Sequence, residues 1–102
     1  MSSILSIMES SGLDRKEWPC YWNATAACWL MHGHLLTDDE AEALCAHRLR
    51  KAIRVVVEAG ANIETGQYPD GWRADADGTW RGSGPTELAA LAALLRAVKG
   101  AA

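Results

Sequence analysis

The chain lacks phenylalanine altogether and has only two Tyr, three Pro and three Cys in 102 residues. Five Trp carry the aromatic content instead. Trp joins a large apolar body to one N–H donor, which suits the edge of a core or a contact surface. The three cysteines, Cys20, Cys28 and Cys45, cannot all pair within one chain, and no Cys-x-x-Cys pair occurs. That pattern excludes a dense disulfide framework and predicts free thiols in a reducing compartment. No apolar run reaches the ~20 residues that a membrane-spanning helix needs. The opening stretch to Met8 lacks the basic start of a secretory signal, and Glu9 follows it. The expectation is a cytoplasmic protein without membrane attachment or lipid anchor. Excess positive charge is missing too, the formal net charge being −3. Nucleic-acid affinity comes mainly from Lys and Arg on phosphates, so any such contact must rest on a local basic patch.

The composition that remains is that of a folded chain. Hydrophobic residues make up 49% and charged residues 23%, which is too apolar for disorder. The length supports one core. Residues 1–17 are expected to form an N-terminal arm, in which Ile4, Leu5, Ile7 and Met8 supply one helical turn able to dock. Residues 18–102 are expected to form a single α+β domain.

Pro19 suits the first turn of a helix, and Trp22, Ala26, Trp29, Leu30 and Gly33 recur at helical spacing, so Cys20–His32 is predicted helical with Gly33 as its stop. Thr37-Asp38-Asp39-Glu40 is a capping box. It opens a helix expected to run to about Ala59, with Ala41, Cys45, Leu49, Ala52, Ile53 and Val56 inward and Gly60 as terminator. Five glycines between positions 66 and 84 argue against helix there. Ile63-Glu64-Thr65 reads as a short strand. Trp72–Asp75 and Thr79–Arg81 read as a hairpin around Ala76-Asp77-Gly78. That register places Trp72, Ala74 and Trp80 on one face and Arg73 and Arg81 on the other. Pro85 and Glu87 open the last helix, whose inward stripe is Leu88, Leu91, Leu95 and Val98. The expected fold is α+β: helices packed on a small antiparallel sheet of two or three strands, in the order helix, helix, strands, helix.

Few residues are arranged for chemistry. Cys28 and His32 would share a helix face, as a metal pair must, whereas Cys45 and His47 would point apart, and four converging ligands are not assembled. No metal or cofactor is expected. Cys20, placed at a helix start, would have an activated thiol, but no family-type signature surrounds it and no catalytic residue is assigned. The acidic clusters are explained by capping and turns. Gly78–Gly84 lacks the Gly-Lys-Ser/Thr ending of a phosphate loop.

Binding is better represented. On the last helix, Ala89, Ala90, Ala93 and Ala97 replace the usual Lys and Glu opposite the leucine stripe. They make a flat face that lets another element approach closely, in the same fold or in a second chain. With Trp72 and Trp80 they are the candidate residues for contact with another protein or for self-association. The alternative is a nucleic-acid-binding module built from His47, Arg50, Lys51 and Arg54 on a helix face and Arg73 and Arg81 on the hairpin, with Trp72, Trp80 and Tyr68 for stacking. The order helix, strands, helix resembles double-stranded-RNA-binding domains in architecture. Pro85-Thr86-Glu87-Leu88 stands where that family has a lysine-rich run.

The C-terminal third also resembles small accessory proteins of phages and prophages. The resemblance lies in Gly71-Trp72-Arg73-Ala74, Trp80, Gly84-Pro85-Thr86-Glu87-Leu88-Ala89-Ala90 and Leu94-Leu95-Arg96-Ala97: a Trp-bearing strand pair, a turn and an Ala/Leu-rich helix. It implies origin in a mobile element and a non-enzymatic inhibitor or accessory factor, of the anti-CRISPR type, that occupies a surface of a host complex. It carries no catalytic or binding residue onto this chain.

Overall fold

A computed structural model describes residues 3–57 and 60–101. Thr37 begins the best-defined element. Its hydroxyl accepts the Glu40 N–H at 3.1 Å, and the Glu40 carboxylate accepts the Thr37 N–H at 2.9 Å. Two N–H groups at the helix start are thereby satisfied reciprocally. Helix α2 follows over Asp38–Val56 and turns Ala41, Cys45, Ala46, Leu49, Ala52 and Ile53 into the core. The Val57 N–H closes it on the Ile53 carbonyl. Glu58 and Ala59, expected to continue the helix, lie outside the described residues.

The segment expected to be the first long helix is instead a three-stranded antiparallel sheet. Its strands are β1 (Tyr21–Asn23), β2 (Cys28–Met31) and β3 (His34–Leu36). A helix over Cys20–His32 would need negative φ throughout, but Ala27 has φ +54° and His32 +51°. The Asn23 carboxamide oxygen accepts the Ala26 N–H at 3.0 Å and shapes the first turn. His32 and Gly33, both at positive φ, form the two-residue second turn between the paired Met31 and His34. Gly33 therefore turns a hairpin and does not stop a helix. The pairing lines up Trp22, Trp29 and Leu36 on the inward face. Trp29 is fully buried, 5.3 Å from the Trp22 ring centroid and 6.3 Å from that of Trp18.

The C-terminal half forms a second antiparallel sheet of β4 (Ile63–Tyr68), β5 (Gly71–Ala76) and β6 (Trp80–Gly84) in that order. The β5–β6 loop is Asp77-Gly78-Thr79, one residue later than the sequence suggests, with Ala76 paired to Trp80. Asp77 and Gly78 have φ +52° and +71°, and the Thr79 N–H bonds the Ala76 carbonyl. The shift changes the paired residues by an even number, so the faces stay as expected. Trp72, Ala74, Ala76 and Trp80 share one side, and Arg73, Asp75 and Arg81 the other.

Helix α3 (Glu87–Ala101) packs on β5, β6, α2 and the N-terminal helix α1 (Ser3–Ser10). Leu88, Leu91, Leu94, Leu95 and Val98 are buried along it. Its approach to β6 is made possible by glycine. A Cβ on Gly82 would lie 2.2 Å from the Leu94 nitrogen, and one on Gly84 2.6 Å from the Ala89 Cβ. Helix α1 (Ser3–Ser10) docks Ile4, Leu5 and Met8 into the same core. Arg96 holds its end through the Ser10 carbonyl at 3.0 Å, and Lys99 reaches the Gly12 carbonyl at 3.0 Å. A 3-10 turn over Arg15–Glu17 leads into β1. The fold class is thus α+β. It carries two three-stranded sheets where one was expected, and its order is helix, strands, helix, strands, helix. No helix among the described residues is long and apolar enough to cross a membrane.

Candidate functional site

The first sheet has a buried side and an open side, and period-2 alternation sorts its residues between them. Inward go Trp22, Trp29 and Leu36. Outward go Tyr21, Leu30 and Leu35, which the register aligns as one row across all three strands. Tyr21 is 64% exposed and Leu35 70%, with Leu30 partly exposed between them. Scattered apolar residues on a surface are ordinary, but a contiguous row on the uncovered face of a sheet is the pattern of a contact surface. Half-buried Cys28 lies on the same side, paired with Asn23. Beside the row, an open depression of about 880 Å³ is bordered by Tyr21, Trp22 and Asn23 and by the opposite charges Arg15 and Asp38. The helix expected over residues 20–32 would have set these side chains on no common face, so the row is not legible at helical spacing. The local signal is the short continuous apolar run Cys28-Trp29-Leu30-Met31 bounded by the turn residues His32-Gly33.

Of the two kinds of neighbour expected for the alanine face of α3, the structure supplies the one in the same fold. Ala90 is fully buried, and Ala89, Ala93 and Ala97 are half-buried. Ala89, Ala90 and Ala93 meet the backbone of β6 at Gly82 and Gly84. The close approach those alanines permit is therefore taken up by the chain's own sheet. Trp72 and Trp80 are half-buried on the inward side of that sheet, packed against the core.

The basic residues are dispersed and mostly engaged. Arg50 pairs with Glu87 at 3.4 Å, and Arg54 donates to the Ala61 carbonyl at 3.2 Å. Arg48 pairs with Glu17 at 3.0 Å. His47 and Lys51 are exposed on α2. On the outer face of the second sheet, Arg73 lies over the Tyr68 ring at 4.4 Å and pairs with Asp70 at 3.4 Å. Arg81 Nε is 3.1 Å from Asp75 Oδ1, a buried oxygen that, among the described residues, lacks hydrogen-bond geometry to any partner. Tyr68, Arg73, Asp75, Arg81 and Ser83 border an open depression of about 520 Å³. Trp72 and Trp80 lie on the other side of the sheet from Arg73 and Arg81, so the four do not form one stacking and charged surface.

The cysteine sites also change with the fold. Cys28 sits on a strand and His32 in a turn, so the helical spacing that would have paired them does not exist. Among the described residues no group of three or more His, Cys, Asp or Glu is placed to hold a metal ion. Cys20 precedes a strand, which removes the helix-dipole argument for an activated thiol. It faces Cys45 instead, with the two sulfurs 3.9 Å apart and both residues buried. The hydrogen bond with Cys20, burial, and the nearby charges of Cys20 and Glu42 push the Cys45 thiol above its ordinary range. The same contact, in which either sulfur can donate, draws the Cys20 thiol down against the opposing effect of burial.

No protein-family model matches the chain. No curated protein and no solved structure is significantly similar to it.

Proposed function

We propose that the protein is a non-enzymatic protein-binding module whose contact surface is the outer face of the first sheet. The observation that carries this reading is the aligned, exposed row of Tyr21, Leu30 and Leu35. An aromatic and two aliphatic side chains, held by a sheet whose other side is anchored on buried Trp29, give a preformed apolar surface. Such a surface binds with little conformational entropy left to lose. The phage-accessory resemblance adds a partner class, a surface of a host complex, and an inhibitory role to the proposal.

The test is the double substitution Tyr21→Glu with Leu35→Glu. Chemical cross-linking in host extract should trap a stoichiometric partner on the original chain and not on the variant, at equal thermal stability. Sedimentation of each protein alone tests self-association through the same face. If the variant retains every partner and the same association state, the face is not the contact.

Nucleic-acid binding through His47, Arg50, Lys51, Arg54, Arg73 and Arg81 has less support, since the four arginines already engage Glu87, the Ala61 carbonyl, Asp70 and Asp75. A salt-sensitive mobility shift that disappears on Lys51→Glu with Arg54→Glu would reverse that ranking.

A further inference from the structure

The pair of buried thiols plays no part in the proposed contact and has a geometry of its own. We propose that Cys20 and Cys45 are a covalent modification site, an oxidisable dithiol that closes to an intramolecular disulfide within the native fold and clamps the first sheet to α2. The sulfurs stand 3.9 Å apart, and a disulfide brings them to about 2.0 Å. Cys28, the remaining thiol, is on the outward side of β2, away from the core position of Cys45.

The two members differ in access. Cys45 is 0% exposed as a residue and Cys20 7%, so Cys20 lies nearer the surface of the two and the oxidant has to be small. Its hydrogen bond with Cys45 favours the thiolate, the reactive form. The oxidant class is a hydroperoxide, hydrogen peroxide being the simplest. Cys20 thiolate attacks one peroxide oxygen, the O–O bond breaks, and hydroxide leaves and takes up a proton to become water. Cys45 sulfur then attacks the Cys20 sulfenic acid, the S–O bond breaks, and the hydroxyl leaves as water with the Cys45 proton. Two thiols are oxidised to one disulfide, and one peroxide is reduced to two waters.

The new bond would close a loop running from Cys20 to Cys45. That loop contains the whole of the first sheet, and α2 from its capping box to its third turn. Restricting a loop of this length in the unfolded chain raises the thermal midpoint on the order of 10 °C where native geometry is kept.

The experiment uses the full chain carrying Cys28→Ser, which leaves Cys20 and Cys45 as its only thiols. Folded protein is exposed to hydrogen peroxide, then alkylated in denaturant and weighed. The expected result is a monomer lighter by two hydrogens and inert to alkylation, with a raised thermal midpoint that dithiothreitol returns to its starting value. Adding Cys20→Ser should abolish the change. Two alkylatable thiols after treatment would overturn the proposal. So would a disulfide that forms only between chains or only in urea, or one that lowers the midpoint.

Discussion

Gly82 shows how much a single hydrogen atom in place of a methyl group determines here. Its missing side chain lets β6 lie directly on the backbone of α3, with the Leu94 nitrogen, the Ala90 carbonyl oxygen and the Ala93 carbonyl carbon all within 3 Å of where a Cβ would stand. Two backbones would have to separate to admit a methyl group. Gly82→Ala should therefore destabilise the fold by at least about 2 kcal/mol in urea unfolding. Gly33→Ala makes a useful comparison. That site is open to solvent, but its φ of +81° strains any L side chain, so the loss should stay at about 1 kcal/mol. Similar losses at the two sites would show that α3 and β6 are not in backbone contact at Gly82. Trp29, fully buried beneath Trp18 and Trp22, should cost about 3–5 kcal/mol when cut to Ala.

Among the elements, α2 is the one whose start is written most fully into adjacent residues. Thr37→Ala removes one half of the reciprocal cap and should cost about 0.5–2 kcal/mol by denaturant titration, with Thr37→Ser largely restoring it. Glu87, in the first turn of α3, joins three elements, since its carboxylate meets Arg50 of α2 and accepts the Thr65 hydroxyl of β4 at 2.9 Å. A double-mutant cycle on Arg50→Ala and Glu87→Ala should give a coupling of about 0.5–1 kcal/mol, lower in high salt, because both groups are partly exposed. The first sheet was the element hardest to read. Trp22 and Trp29 are seven residues apart, an interval that fits two turns of helix as well as it fits cross-strand partners in a hairpin. The apolar run Cys28–Met31 ahead of His32-Gly33 fits a strand and a buried helical segment alike, so it does not separate the two. The decision falls to the positive φ at Ala27, His32 and Gly33 and to the burial that pairing gives Trp29.

Over the molecule as a whole, the alanine face of α3 is covered from within the fold, while Tyr21 and Leu35 stand open to solvent with Leu30 partly exposed between them. Alanine at four positions of a helix signals close approach, and close approach is what the structure has. The approaching element is the chain's own β6, reached through Gly82 and Gly84. Glutamate at Ala90 would accordingly test folding and not partner binding, since that position is fully buried. Tyr21→Glu with Leu35→Glu should instead leave stability within about 0.5 kcal/mol, because neither side chain contributes to the core. Chemical denaturation of the double variant is the check, and a large loss would mean that the row is supported from within.

The features legible in the residues themselves were those set by near neighbours. The capping box at Thr37, the inward stripes of α2 and α3, the strand at Ile63 and the face assignment of the Trp72–Trp80 hairpin all follow from interactions across one turn of helix or one step of strand. The division into two sheets, the covering of the alanine face, the opening of Tyr21 and Leu35 to solvent and the meeting of Cys20 with Cys45 were settled by folding in three dimensions. Each depends on which distant surface removes a side chain from water, and no spacing along the chain records that.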